Sequence, residues 1–193
     1  MQKTLWTKNF TLVTVSSALG AVGGIAGGFA LSFLVFDETG STLASALILA
    51  IQLVPFFVLP LFLAPVMDRL PRKPFLVAGD LIDGVLYALM GLYLLKFEFS
   101  YAAYLGYSLL LACLESFDEL AFQSIYPKLI PDGMEQQGYA VTTTLYPILR
   151  VLMLPLAGVL LDAVGAAWIL IGQGGLSLLA ALIGGNIIIT AHP

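Results

Sequence analysis

The sequence predicts an all-α integral membrane fold, with six transmembrane helices arranged as two inverted three-helix repeats. Three observations carry that prediction. The 193 residues are 60% hydrophobic and only 10% charged, with a mean hydropathy of +0.98; a soluble domain carries about a quarter charged residues. The charges cluster between apolar runs that are each long enough to cross a bilayer. The cations also alternate by side. Lys3, Lys8, Arg69, Arg72, Lys73 and Lys128 fall before the first run or in every second break, Lys96 alone falls in the other breaks, and Arg150 lies inside a run. Cation-rich breaks stay cytoplasmic. Both termini are therefore expected inside, in a multi-pass protein of the cell (inner, cytoplasmic) membrane, with the lipid bilayer as its first partner.

The first helix is expected over 10–36, an uncharged run bracketed by Lys8 and Asp37. Gly20, Gly24 and Gly28 repeat at four-residue spacing, as do Gly23 and Gly27, which lets a neighbouring backbone approach closely. That serves tight packing, or a helix that slides against its neighbour. Asp37 to Ser41 form an outer turn. The second helix covers 42–66 and is expected to bend, because Pro55, Pro60 and Pro65 interrupt it. Ala64 to Pro74 is the densest cluster of charge and forms an inner loop. The third helix covers 75–95, with Asp80 and Asp83 near its start, and Lys96 to Ser100 lie outside. The fourth covers 101–125 and holds Glu115, Asp118 and Glu119; Tyr126 to Gly133 leave it as an inner segment. The fifth covers 138–161, contains Arg150 and ends in an outer turn, Asp162 to Gly165. The sixth covers 166–189, and the tail Thr190 to Pro193 is too short for a soluble domain. Residues 1–193 then read as a single transmembrane domain.

Composition also excludes function classes. The one cysteine, Cys113, permits no internal disulfide, and with His192 as the one histidine a His/Cys metal cage is not expected. No cofactor is implied. Basic patches with interleaved aromatics are absent, so nucleic acid is not an expected partner. The first apolar run is too long for the core of a secretory signal. A short internal echo favours the repeat. Leu59-Pro60-Leu61 precedes Asp68 as Leu154-Pro155-Leu156 precedes Asp162, so both prolines fall in the middle helix of a triplet. Inverted triplets of this kind are a transporter architecture.

The inner loop carries a resemblance. Asp68-Arg69, a two-residue spacer and Arg72-Lys73 resemble the loop signature of the major facilitator superfamily, Gly-x-x-x-Asp-Arg-x-Gly-Arg-Arg/Lys, with Ala64 and Pro71 at the two glycine positions. Arg150 followed by Leu154-Pro155-Leu156-Ala157-Gly158 resembles the fifth-helix pattern of its exporters, Arg…Gly-Pro-x-x-Gly-Gly, with Leu154 and Val159 replacing two glycines. Tyr126-Pro127-Lys128-Leu129-Ile130-Pro131, and Asp80 early in helix three, resemble the macrolide and siderophore exporter group. The resemblance implies half of a major facilitator fold and a secondary exporter of a small apolar or amphipathic compound, working by alternating access. It implies a conformational-gate loop of Asp68, Arg69, Arg72, Lys73 and Asp80, and a helix-five hinge at Pro155 and Gly158. It also implies a second six-helix half, supplied by a longer chain or by another subunit, since the family places its small-molecule substrate between halves.

Charges inside the membrane default to function. Glu115, Asp118 and Glu119 fall at i, i+3 and i+4 and share one helical face. Glu115, ~16 Å from the inner helix end, suits a proton carrier, or a structural acid neutralised by Arg150. Asp118 and Glu119, at ~10 Å, suit a wet inner vestibule. Arg150 lies ~19 Å deep on helix five, so a Glu115–Arg150 ion pair, directly bonded or bridged by one water and facing the central cavity, is expected. Arg69 or Arg72 is expected to reach Asp80. No catalytic residue is expected, yet two rival classes remain. Asp80-Leu81-Ile82-Asp83-Gly84 resembles the opening of the CDP-alcohol phosphotransferase signature, although its Ala-Arg pair and later acids are missing. Val77-Ala78-Gly79-Asp80 lacks the first glycine of an intramembrane aspartyl protease. The other rival is a non-transporting membrane subunit.

Overall fold

The computed structural model describes residues 4–187. Lys3, residues 188–189 and the tail with His192 lie outside the described residues, and the sixth helix, expected to run on to 189, ends at Gly185 with Asn186 as its cap. Within them the chain forms α1 (Lys8–Thr39), α2 (Thr42–Met67), α3 (Arg72–Lys96), α4 (Tyr101–Leu129), α5 (Glu135–Val164) and α6 (Ala166–Gly185).

Helices α1, α3, α4 and α5 outrun the apolar stretches that mark them, because a helix continues until something caps it. Thr7 caps the start of α1 by accepting from the Phe10 amide at 3.3 Å, and Ser41 caps α2 by accepting from the Ala44 amide at 3.1 Å. Gly40 ends α1 in the left-handed region at φ 64°, donating its N–H to the Phe36 carbonyl at 2.7 Å. Two inner-loop expectations change. Arg72 and Lys73 form the first turn of α3, following Pro71 at φ −68°. Tyr126 to Leu129 form the last turn of α4, because Tyr126 and Leu129, a helical step apart, both bury into one apolar cluster.

Five helices are long and apolar enough to cross a membrane on their own, namely α1, α2, α3, α5 and α6. The sixth, α4, carries the three carboxylates Glu115, Asp118 and Glu119 and is held in the same bundle between α2 and α3. Helices α2 and α5 run unbroken through Pro55, Pro60 and Pro65 and through Pro147 and Pro155.

The packing has an approximate two-fold pattern. Helix α1 packs on α6 and α5; α4 packs on α3 and α2; α3 packs on α6. Exchanging α1 with α4, α2 with α5 and α3 with α6 maps these contacts onto each other, as two inverted triplets require. At the centre, α3 and α6 cross where a methyl on Gly84 would meet the Gly174 carbonyl, and one on Gly174 would meet the Gly84 carbonyl. Ser16 of α1 donates to Ala180 of α6 at 3.0 Å, and Tyr104 of α4 donates to Met90 of α3 at 3.5 Å. Ala180 stands to Gly174 in sequence as Met90 stands to Gly84. Exposure follows the same exchange: α2 and α5 bury the smallest share of their spans.

Two apolar clusters close the bundle above and below its middle. One gathers Phe10, Val13, Met67, Leu76, Ile125 and Tyr126 at the end bearing the 68–71 loop; the other gathers Leu31, Val35, Ile48, Met90, Tyr104 and Leu170 at the opposite end.

Candidate functional site: an acid-walled central cavity

Between these clusters lies an open cavity of about 850 Å³. Its glycine-lined side comes from α1. Gly20, Gly24 and Gly28 face open space, whereas Gly23 and Gly27 pack against Gln173 of α6. The two glycine stripes of α1 therefore do different work: one admits a neighbour, the other leaves room. Facing them, α3 contributes Asp80, Asp83 and Tyr87, α4 contributes Glu115, Asp118 and Glu119, and α5 contributes Tyr146 and Arg150.

Glu115 opens onto the cavity and accepts a hydrogen bond from the Tyr87 hydroxyl at 2.7 Å. Gln173 of α6 lines the same cavity as Tyr87 and Glu115. Asp118 is pressed into a notch on α3, where a methyl on Gly79 would overlap its carboxylate. Asp83 lines the same cavity as Asp118 and is 7% exposed, and its Oδ1 is buried without a partner. Gln173 is 4% exposed, and its Oε1 is likewise unpartnered. Glu119 accepts from Gln123 at 2.7 Å. It also borders a second, open hollow of about 540 Å³ with Phe122, Tyr139 and Tyr146.

A direct Glu115–Arg150 ion pair does not form. Both side chains line the cavity, but they are not in direct ion-pair contact. The depth arithmetic assumed that consecutive helices are neighbours. Helix α5 instead packs on α1 and α6, and α4 on α2 and α3. Their junction is local, with the Tyr126 hydroxyl donating to the Gly138 carbonyl at 2.7 Å.

The expected tie from the loop to Asp80 does not form either. Arg72 donates to Asp68 at 3.1 Å and to the Ser124 carbonyl of α4 at 3.3 Å, so it links the loop to α4. Asp80 lies deeper and lines the cavity. Asp68, Arg69 and the α5 pair Pro155 and Gly158 stand away from the acid wall, with Asp68 and Arg69 exposed.

Sequence reasoning passed over Asp83, Tyr87 and Gln173 as site residues. A signal was present. Asp83-Gly84 and Gln173-Gly174 occupy matching places at the α3–α6 crossing, so each repeat sets one buried polar side chain just before its crossing glycine. The Asp80-to-Gly84 run that looked like a phosphotransferase opening supplies part of the cavity wall and the crossing point.

A family model described as transmembrane secretion effector matches residues 3–186. No curated protein and no solved structure matches the chain. With nearly the whole chain matched and the six-helix, two-triplet packing in place, this is a multi-pass membrane transporter chain that belongs to the transmembrane secretion effector family of the major facilitator superfamily.

Proposed function

We propose that the chain is one half of a secondary exporter that works by alternating access, with Glu115 carrying the coupled proton. The observation that carries this reading is the setting of Glu115. It opens onto the cavity, it is held by the Tyr87 hydroxyl at 2.7 Å, and it is not sealed in an ion pair. A carboxyl in that position can exchange a proton with cavity water.

The rest of the assembly follows from exposure and charge. Residues 1–193 form a single transmembrane domain. Helices α2 and α5 present large apolar side chains, Phe57, Leu61 and Phe62 on one and Val151 and Leu152 on the other, to a second six-helix half that closes the cavity. The cation-rich loop of Arg69, Arg72 and Lys73 lies on the cytoplasmic side, which puts both termini inside in a cell membrane. Arg72 clamps this gate to α4 through Ser124, and Pro155 and Gly158 give α5 its hinge.

Cysteine labelling tests the alternation. Gly24 lines the cavity and a side chain there meets nothing within 4 Å. In a Cys113→Ser background, Gly24→Cys is expected to react with a membrane-impermeant maleimide from either side. An imposed pH gradient is expected to raise one reactivity as it lowers the other. Labelling from one side alone, whatever the gradient, contradicts the reading.

A further inference from the structure

We propose that the open hollow between α4 and α5 is a binding site for a quaternary ammonium group, held by the Glu119 carboxylate against the rings of Phe122, Tyr139 and Tyr146. This goes beyond the transport reading. The hollow adjoins the central cavity through Glu119, Phe122 and Tyr146 but does not include Glu115, so the site stands whether or not Glu115 carries a proton. Its volume of about 540 Å³ falls within the range of small-molecule sites. Four aromatic side chains border it, those of Phe122, Tyr126, Tyr139 and Tyr146. Aromatic residues make up 11% of the chain, so their gathering here is a local feature.

The local fold holds these rings in place. Tyr126 is 2% exposed, and its ring centroid lies 5.1 Å from that of Phe122 and 6.0 Å from that of Tyr139. Its hydroxyl donates to the Gly138 carbonyl at 2.7 Å. One buried ring therefore ties the α4 wall of the hollow to the α5 wall. Tyr139 lines the hollow with 47% of its surface exposed.

The polar groups of the lining set the chemistry of the occupant. Four side chains donate within the chain: Gln123 to Glu119 Oε1 at 2.7 Å, Tyr126 to Gly138, and Thr142 and Thr143 each to the Tyr139 carbonyl at 3.0 Å. An anion or a carbonyl-rich ligand would find few donors left. Glu119 is exposed, and its Oε2 makes no hydrogen bond among the described residues. Among the described residues of this lining it is the one carboxylate, and no Lys, Arg or His balances it there. A quaternary ammonium group needs no donor. Glu119 meets its charge, and aromatic rings meet its methyl surface, the combination by which such cations are recognised. Free solutes and a lipid headgroup both carry this group.

The test is an equilibrium measurement that needs no transport, so its outcome is separate from that of the alternating-access experiment. The chain in maltoside micelles, which carry neither charge nor choline, is titrated with choline and with 3,3-dimethylbutan-1-ol and read by saturation-transfer difference NMR. The two probes share one shape and differ by a cationic nitrogen in place of carbon. Micelles without the chain correct for partition. Choline is expected to bind at least tenfold more tightly than the alcohol. Glu119→Gln and Tyr139→Leu are each expected to lower that ratio at least threefold. Adding phosphatidylcholine separates the two sources: displacement of choline assigns the lipid headgroup, and unchanged binding assigns a free solute. Equal affinity for the two probes in the unmodified chain, binding of neither above empty micelles, or an undiminished preference in well-folded Glu119→Gln and Tyr139→Leu overturns the proposal.

Discussion

The Tyr87 hydroxyl donates a 2.7 Å hydrogen bond to Oε1 of Glu115, joining α3 to α4 at the wall of the central cavity. Hydrogen bonds between membrane helices average about 0.6 kcal/mol and reach about 1.7 kcal/mol in double-mutant cycles. A cycle of Tyr87→Phe and Glu115→Ala is therefore expected to return a coupling of about 1 kcal/mol, read from unfolding in mixed detergent. A coupling of zero would mean that the pair is held apart by water.

Gly79 gives Asp118 its place. A methyl at Gly79 overlaps the Asp118 carboxylate, so Gly79→Ala must push α3 and α4 apart or expel the acid. Overpacking of this kind costs about 1–3 kcal/mol. Gly79→Ala is expected to lower the melting temperature, and Asp118→Ala in the same chain to restore much of it. If the second substitution adds to the damage, Asp118 is not what occupies the notch.

The glycines divide by what a methyl would meet. Gly84→Ala and Gly174→Ala each press on the backbone of the opposing helix and are expected to cost about 1–3 kcal/mol. Gly24→Ala meets nothing and gains helix propensity of up to about 1 kcal/mol. Thermal unfolding of the three variants should therefore split by sign. A common loss would show that the α1 stripe also packs.

Arg72 and Asp68 form an ion pair in which the two contributions are unequal. The Asp68 side chain is 73% exposed, and Arg72, 20% exposed, also holds the Ser124 carbonyl of α4. Exposed ion pairs contribute about 0–1 kcal/mol. Asp68→Ala is expected to change stability little, and Arg72→Ala to cost more because it also frees α4. Equal effects in a chemical unfolding comparison would confine Arg72 to the loop.

The helices were legible because a bilayer demands long apolar runs and charges mark their ends. Gly40 and Gly165 stop α1 and α5 where glycine readily adopts a positive φ. The membership of the acid wall was half legible. Glu115, Asp118 and Glu119 announce themselves by spacing along one helix. Asp83, Tyr87 and Gln173 join them through a crossing of α3 with α6, and two helices with α4 and α5 between them in the chain leave no periodic trace of their contact. The direct Glu115–Arg150 pairing failed for the same reason. Depth along a helix can be counted from sequence, whereas the choice of neighbour depends on how all six helices pack. The internal echo at Pro60 and Pro155 suggested a repeat, but the two-fold relation itself is carried by Gly84 and Gly174, where small residues let backbones touch.

The central claim is that Glu115 carries the proton that drives export. Its most direct test is Hoechst 33342 efflux in everted membrane vesicles from cells expressing the chain together with its second six-helix half, driven by an imposed pH gradient. The unmodified chain is expected to move the dye against its concentration, Glu115→Gln to lose at least tenfold in the pH-driven rate, and Glu115→Asp to keep part of it. An unchanged pH-driven rate in Glu115→Gln would contradict the account and leave Glu115 as a structural partner of Tyr87.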